Sequence, residues 1–142
     1  MEVVAVVDSV QSVLDNSGQQ FGIEDRYLDA REILDQEYLD IASVATSHKL
    51  HAPMTIAACD RRVKAVLCEK PMATSLGECH EIMAVAQRNN VKVAIAHQRR
   101  FNFAWTDARG LIAEGAISEP RQIQIVCRDG QGLLNVGTTC SI

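Results

Sequence analysis

A lysine within the tripeptide Glu69-Lys70-Pro71 is the side chain best placed to act on a polarised oxygen. The tripeptide follows a run at residues 63–68 that predicts a parallel strand. Open α/β sheets bind ligands outside the carboxyl ends of their strands, so Lys70 is predicted to point into a ligand crevice. A cation there polarises a carbonyl or stabilises an alkoxide, and Glu69 can pair with its charge. A surface lysine at a strand end is the alternative interpretation.

Asp8 is a second candidate, because it ends the β-branched run at residues 3–7. In a dinucleotide-binding fold, an acid at the tip of a buried strand accepts hydrogen bonds from the adenosine ribose. Ser9 follows where an arginine would suit a 2′-phosphate, so this pair favours NAD over NADP. A strand-end aspartate is also a common turn or cap residue, and both interpretations stay open. No G-x-G-x-x-G turn precedes Asp8.

The elements that must position these side chains alternate between strands and helices. Strand patterns occur at residues 3–7, 41–45, 63–68 and 91–96, and helix patterns at residues 10–16, 29–36, 49–59 and 76–89. The alternation predicts an α/β fold, a Rossmann-type doubly wound parallel sheet whose first strand and glycine-rich turn are missing. Continuous apolarity predicts that the strands are buried on both faces.

Local signals add detail to two of the helices. Gly18 is predicted to end the first helix, and Ser75 with Glu78 forms a capping box that starts the fourth. Helical spacing predicts that the fourth helix faces the core through Leu76, Cys79, Met83 and Ala86.

The pattern changes near residue 100. Asn102 is predicted to cap a helix that ends at Gly115, and alternation around Ile123 and Ile125 predicts an antiparallel strand. We therefore predict an incomplete dinucleotide-binding domain over residues 1–100. Residues 101–142 are predicted to begin an α+β C-terminal domain for substrate binding and oligomerisation.

The composition of the chain argues against several classes of function. The 142 residues carry a net charge of -4, which argues against a nucleic-acid partner. No run approaches the roughly 20 apolar residues of a membrane helix, and the start does not resemble a signal peptide, so a cytoplasmic protein is expected. The five cysteines lack Cys-x-x-Cys spacing and are predicted to be reduced core thiols, with no metal site.

Three segments, in order, resemble the glucose-fructose oxidoreductase / inositol dehydrogenase (Gfo/Idh/MocA) family. Residues 40–51 are similar to its strand, Thr-Pro turn and downstream histidine, although Ser47 replaces the proline. Residues 66–73 resemble its signature lysine segment. Residues 99–120 resemble its Arg-Phe-Asn-Pro and Gly-x-Ile-Gly stretches, with Phe103 and Ser118 as departures. The resemblance covers essentially the whole chain and implies a family member truncated at both ends.

The resemblance implies hydride transfer between NAD or NADP and a sugar or polyol. The implied cofactor site consists of Asp8, Thr46, Ser47, His51, Glu69, Lys70 and Arg100. Asp8 would hold the adenosine ribose. The nicotinamide side of the crevice would be lined by Thr46, Ser47 and His51. Glu69 and Lys70 would flank the nicotinamide, with Lys70 as the catalytic contact to the substrate hydroxyl, and Arg100 would hold the nicotinamide end. A local helix cap is the alternative role for His51.

The family's general acid/base is a histidine in the second domain, and Thr139 falls at that position. A hydroxyl cannot shuttle protons near neutrality as imidazole does. Two functions therefore stay open: a sugar or polyol dehydrogenase that forms homo-oligomers, and a non-catalytic relative that binds nucleotide weakly. A signalling receiver domain is disfavoured, because Thr46 follows the strand at 41–45 where a phospho-acceptor aspartate is required.

Overall fold

The computed structural model describes residues 2–125 and 138–141, with side chains described as far as residue 122. The chain divides into two compact units, residues 1–97 and 98–142, close to the predicted boundary at residue 100. The first unit contains β1 (Ala5–Val7), α1 (Gln11–Phe21), β2 (Asp25–Tyr27), α2 (Ala30–Gln36), β3 (Ile41–Val44), α3 (His48–Asp60), β4 (Ala65–Cys68), α4 (Leu76–Asn89) and β5 (Lys92–Ile95). The second contains a 3-10 helix (Gln98–Phe101), α5 (Phe103–Ala113), β6 (Gln122–Ile125) and β7 (Thr138–Ser141).

The strands of the first unit form two parallel sheets. β1 pairs with β2, whereas β3, β4 and β5 pair in that order with β4 in the centre. A doubly wound sheet has the order 3-2-1-4-5-6, and these strands occupy its positions 3-2 and 4-5-6. The predicted Rossmann-type α/β class is confirmed. Among the described residues, β1 and β3 are not paired with each other, so each presents one open edge.

The core lies where α3 and α4 pack on β4. Val66 and Cys68 of β4 are each 1% exposed, and Ala58 and Val85 from the helices join the same cluster. The other face of this sheet is open, with Leu67 45% exposed, so the prediction of burial on both faces is wrong. Right-handed crossovers place consecutive connecting helices on the same face of a parallel sheet, which explains the one-sided cover.

Helix α4 begins as its sequence predicts. The Ser75 hydroxyl accepts from the Glu78 amide at 3.2 Å, and the Glu78 carboxylate accepts from the Ser75 amide at 3.1 Å. Hydrogen bonds from the side chain and backbone of Thr74, together with those from Ser75, lower the pKa of Glu78. The predicted capping box is therefore confirmed.

Helix α4 turns a different face to the core from the one predicted. Its buried residues are Ile82, Val85 and Ala86, whereas Leu76 and Met83 are largely exposed. Both candidate stripes obey helical spacing and share Ala86, so periodicity alone does not separate them. The sheet and α3 contact the stripe that contains Ile82, and this packing decides the orientation of the helix.

Helix α1 does not end at Gly18, which was the predicted stop. The helix continues to Phe21, and Gly22 supplies the left-handed residue at its end, with φ of 68°. Gly18 is buried under the guanidinium of Arg26, and a side chain at Gly18 would overlap that group. The glycine therefore serves close packing rather than termination.

In the second unit, α5 follows the 3-10 helix and has a capped N-terminus. The Asn102 side chain accepts from the Ala104 amide at 3.0 Å, and Gly115 follows α5 with φ of 71°, as predicted. β6 and β7 pair antiparallel, which confirms the predicted change of sheet type. In this pairing the backbone of Thr139 lies opposite Gln124. The segment that leads to Thr139, residues 133–137, lies outside the described residues.

Candidate functional site

The carboxyl edge of the three-stranded sheet brings together most of the predicted site residues. Val44, Cys68 and Ile95 are in register at the ends of β3, β4 and β5. The ladder continues one step, because the Glu69 amide donates to the Val44 carbonyl at 2.9 Å. The loops after these strands therefore leave the sheet side by side, where parallel α/β sheets hold their ligands.

Lys70 lies on this edge, directly after β4. Its side chain is exposed and forms no ion pair within the part of the chain that is described. The Lys70 amide donates to the Glu69 carboxylate at 3.2 Å, and the Lys70-Pro71 peptide bond is cis. An exposed ammonium at a strand end is available to a ligand oxygen.

Thr46 and Ser47 form the neighbouring turn. Both side chains are exposed, and Ser47 is the N-cap of α3 without a side-chain hydrogen bond to the helix. The Thr46 hydroxyl makes only a long 3.4 Å contact to the Ser47 carbonyl. Two hydroxyl groups are therefore presented at the same edge as Lys70.

His51 occupies a different place from the other predicted residues. It is 1% exposed, and both of its ring nitrogens face main-chain carbonyls. Nδ1 lies 2.5 Å from the Pro71 oxygen, and Nε2 lies 3.0 Å from the Thr46 oxygen. The ring thus joins the Lys70 loop to the Thr46 turn and offers almost no surface to a ligand.

Asp8 ends β1 in the two-stranded sheet. Its amide donates to the Tyr27 carbonyl at 3.2 Å, and its Oδ1 accepts from the Val10 amide at 2.8 Å. This second bond is the local turn contact that the sequence left open as an alternative. The other carboxylate oxygen makes no hydrogen bond to residues 2–125, so the same group retains an acceptor for a ribose hydroxyl.

Arg100 belongs to the 3-10 helix of the second unit, where it is exposed. Its predicted role at the nicotinamide stays a prediction. His97 was not singled out from the sequence, yet it lies two residues after the end of β5, at the edge shared by Lys70. A polar residue immediately after a predicted strand is the signal that would have identified it.

Tyr27 and Glu37 form a polar contact near the Asp8 edge that the sequence did not indicate. The Tyr27 hydroxyl donates to Glu37 at 2.6 Å, and this bond is the main reason that the pKa of Tyr27 rises to about 12. The contact ties the end of β2 to the end of α2. Tyr27 is therefore a neutral hydrogen-bond donor at physiological pH, not a proton-transfer group.

In residues 2–125 and 138–141, no group of histidine, cysteine and acidic side chains is arranged to hold a metal ion. No helix in these same ranges is both long and apolar enough to cross a membrane.

Comparisons with known proteins agree with this geometry. A family model described as an oxidoreductase family with an NAD-binding Rossmann fold matches residues 1–97. D-apiose dehydrogenase of Paraburkholderia graminis is 32% identical over 119 residues, covering 84% of this chain and 32% of that protein. Inositol 2-dehydrogenase of Salmonella typhimurium is 27% identical over 125 residues, covering 87% of this chain and 37% of that protein.

Solved structures of oxidoreductases are also similar to this chain. An oxidoreductase from Agrobacterium radiobacter, in complex with NAD+, L-tartaric acid and magnesium, matches with a TM-score of 0.77 and 26% identity. The match covers 82% of this chain and 34% of that structure. The chain thus spans roughly a third of the length of the relatives it matches.

Proposed function

The chain belongs to the Gfo/Idh/MocA oxidoreductase family, and from this premise we propose that it forms part of a dehydrogenase site for a nicotinamide dinucleotide and a sugar or polyol. One observation carries the proposal: the exposed ammonium of Lys70 follows the central strand at the carboxyl edge, beside the Thr46 turn. This is where doubly wound sheets bind dinucleotides.

The residues of this chain fit both ends of such a cofactor. Asp8 keeps a free carboxylate oxygen for the adenosine ribose, and Ser9 beside it favours NAD over NADP. Thr46, Ser47 and Glu69 lie at the nicotinamide edge, and the cofactor, when bound, supplies the hydride chemistry. Lys70 donates a hydrogen bond to the substrate oxygen and stabilises negative charge that develops there.

Thr139 supports a second proposal, that the chain is a non-catalytic relative. It falls at the position of the family's acid/base histidine, and its hydroxyl cannot act as a general acid/base near neutrality. We therefore expect dinucleotide binding without measurable turnover by this chain.

The test combines NADH binding, followed by fluorescence, with rate measurements on sugars and polyols. Lys70→Ala is expected to weaken NADH binding, whereas the control Lys92→Ala leaves it unchanged, because the exposed Lys92 begins β5 at the opposite edge. Equal affinities in the two variants would contradict the assigned site. Steady NADH production that disappears in Lys70→Ala would contradict the non-catalytic proposal and support the dehydrogenase.

A further inference from the structure

The buried ring of His51 is the one predicted site residue that turns away from solvent. It lies in the second turn of α3, four residues after the N-cap Ser47. Its two nitrogens contact carbonyls from two different loops, Thr46 after β3 and Pro71 after β4.

The chemistry of the two contacts is asymmetric. A carbonyl oxygen only accepts hydrogen bonds, and a neutral imidazole has one N–H, so a neutral ring donates to one carbonyl at a time. The contact to Pro71 is the shorter, 2.5 Å against 3.0 Å, and it is the one that reaches into the Lys70 loop. Thr46 lies near the start of the helix that carries His51, so its contact is local.

We propose that His51 is a positioning residue: a buried clasp that holds the Glu69-Lys70-Pro71 loop against the turn at Thr46 and Ser47. The donation from Nδ1 to the Pro71 carbonyl sets where Lys70 leaves the sheet. The consequence for ligand contact rests on the proposed function, because it assumes that Lys70 meets the substrate. The clasp itself exists without any ligand.

Two buried thiols of the first unit can report on the clasp. Cys68 is 1% exposed and its thiol donates to the Glu69 carbonyl at 3.3 Å, so it lies directly under the loop. Cys59 is fully buried near the end of α3 and contacts neither loop. Burial raises the pKa of both thiols, which keeps both unreactive while the fold is closed. Opening of the loop exposes Cys68 alone, whereas general unfolding exposes both.

Three substitutions separate the two contacts of the ring. His51→Phe keeps an aromatic ring and removes both ring nitrogens. His51→Asn places an amide donor near the position of Nδ1, and His51→Gln places one near the position of Nε2. His48→Phe is the matched control, because His48 is exposed on the same helix face with its ring 5.6 Å from that of His51.

The experiment measures alkylation rates of Cys68 and Cys59 in the full chain by peptide mass spectrometry. His51→Phe is expected to raise the Cys68 rate about tenfold or more without raising the Cys59 rate, because the Pro71 carbonyl loses the hydrogen bond that holds the loop. His51→Asn restores a slow Cys68 rate, His51→Gln does not, and the His48→Phe control behaves as the unmodified chain.

Equal rates in the Asn and Gln variants, or parallel increases at both cysteines, would overturn the clasp. Should the Phe variant fail to fold, the comparison between Asn and Gln decides the question alone. The proposed function is tested separately by adding NADH. If no variant binds NADH but the Cys68 pattern holds, the function fails and the clasp stands.

Discussion

The three-stranded sheet and the two-stranded sheet carry the two ends of the candidate site, and they differ in strand length, strand pairing and burial. β4 is central and hydrogen-bonded on both sides, and its buried residues share one core cluster with residues of α3 and α4. β1 and β2 each have three residues, none of them fully buried. The Lys70 edge is therefore preformed on a packed core, whereas the Asp8 edge depends on a small sheet with an open side. Rigid elements hold reactive groups more accurately than marginal ones.

Truncating one core side chain in each region should reveal the largest difference in stability between the two sheets. Leu14 on α1 and Ile82 on α4 are each 1% exposed. Ile82→Ala removes packing from the larger core, so it should lower the free energy of unfolding by about 2–5 kcal/mol. Leu14→Ala should release mainly residues 5–27, visible as local loss of hydrogen-exchange protection while residues 41–95 stay protected. Global loss of protection in both variants would show one cooperative unit.

The open edges of β1 and β3 predict self-association, since an unpaired strand edge is a template for another chain. Ser43 is exposed on β3. Ser43→Lys should shift the chain towards monomer in size-exclusion chromatography, because a charge on an edge strand opposes pairing. Ala84→Lys, at an exposed position of α4, is the control. If the unmodified chain is already a monomer, the prediction that its open strand edges cause self-association is wrong.

The N-caps of α1 and α4 also differ, and substitutions there should change stability by less than the core truncations do. α4 begins with a capping box, whereas the N-cap of α1 is Val10, which makes no side-chain cap. Ser75→Ala should destabilise the chain by about 0.5–2 kcal/mol. Val10→Ser should stabilise α1 by a comparable amount, because it supplies the missing acceptor. Thermal unfolding measures both, and loss of stability in the Val10 variant would contradict the account.

The smallest expected effect is the pH response of the α4 cap. Hydrogen bonds from Thr74, chiefly from its side chain, lower the pKa of Glu78 from its ordinary value of 4.5. A carboxylate with a lowered folded-state pKa stabilises the fold above its unfolded pKa and loses that contribution as pH falls through the lowered value. Glu78→Gln, which keeps the capping box, should flatten the loss of thermal stability between about pH 5 and about pH 3. An unchanged slope would show that other carboxylates dominate.

Local signals predicted much of the larger region. The Ser75 cap, the strand before Glu69, and the placement of Lys70 beside Thr46 depend on neighbours in sequence and on the order of a parallel sheet. The strand β2 gave no such signal, because Asp25 and Arg26 carry charge where an apolar pattern is expected. Three-residue strands form through their partner, here β1, rather than through their own composition.

Tertiary packing decided what the sequence left undetermined. Two stripes of α4 satisfied the helical period, and only contact with the sheet selected Ile82 over Met83. His51 was expected to line the crevice because the family resemblance implies that position. Its burial depends on two carbonyls from different loops, whose distances from the ring no sequence pattern contains.

The central claim is that the two sheets bind opposite ends of one dinucleotide, and half-ligands test it most directly. Amide chemical shifts would be recorded by NMR with nicotinamide mononucleotide and, separately, with adenosine monophosphate. The account predicts that the nicotinamide half shifts the amides around Ser47 and Lys70, and that the adenosine half shifts those around Asp8. Lys70→Ala should remove the first response and leave the second. Both halves acting on the same residues, or neither acting near Lys70, would contradict the account.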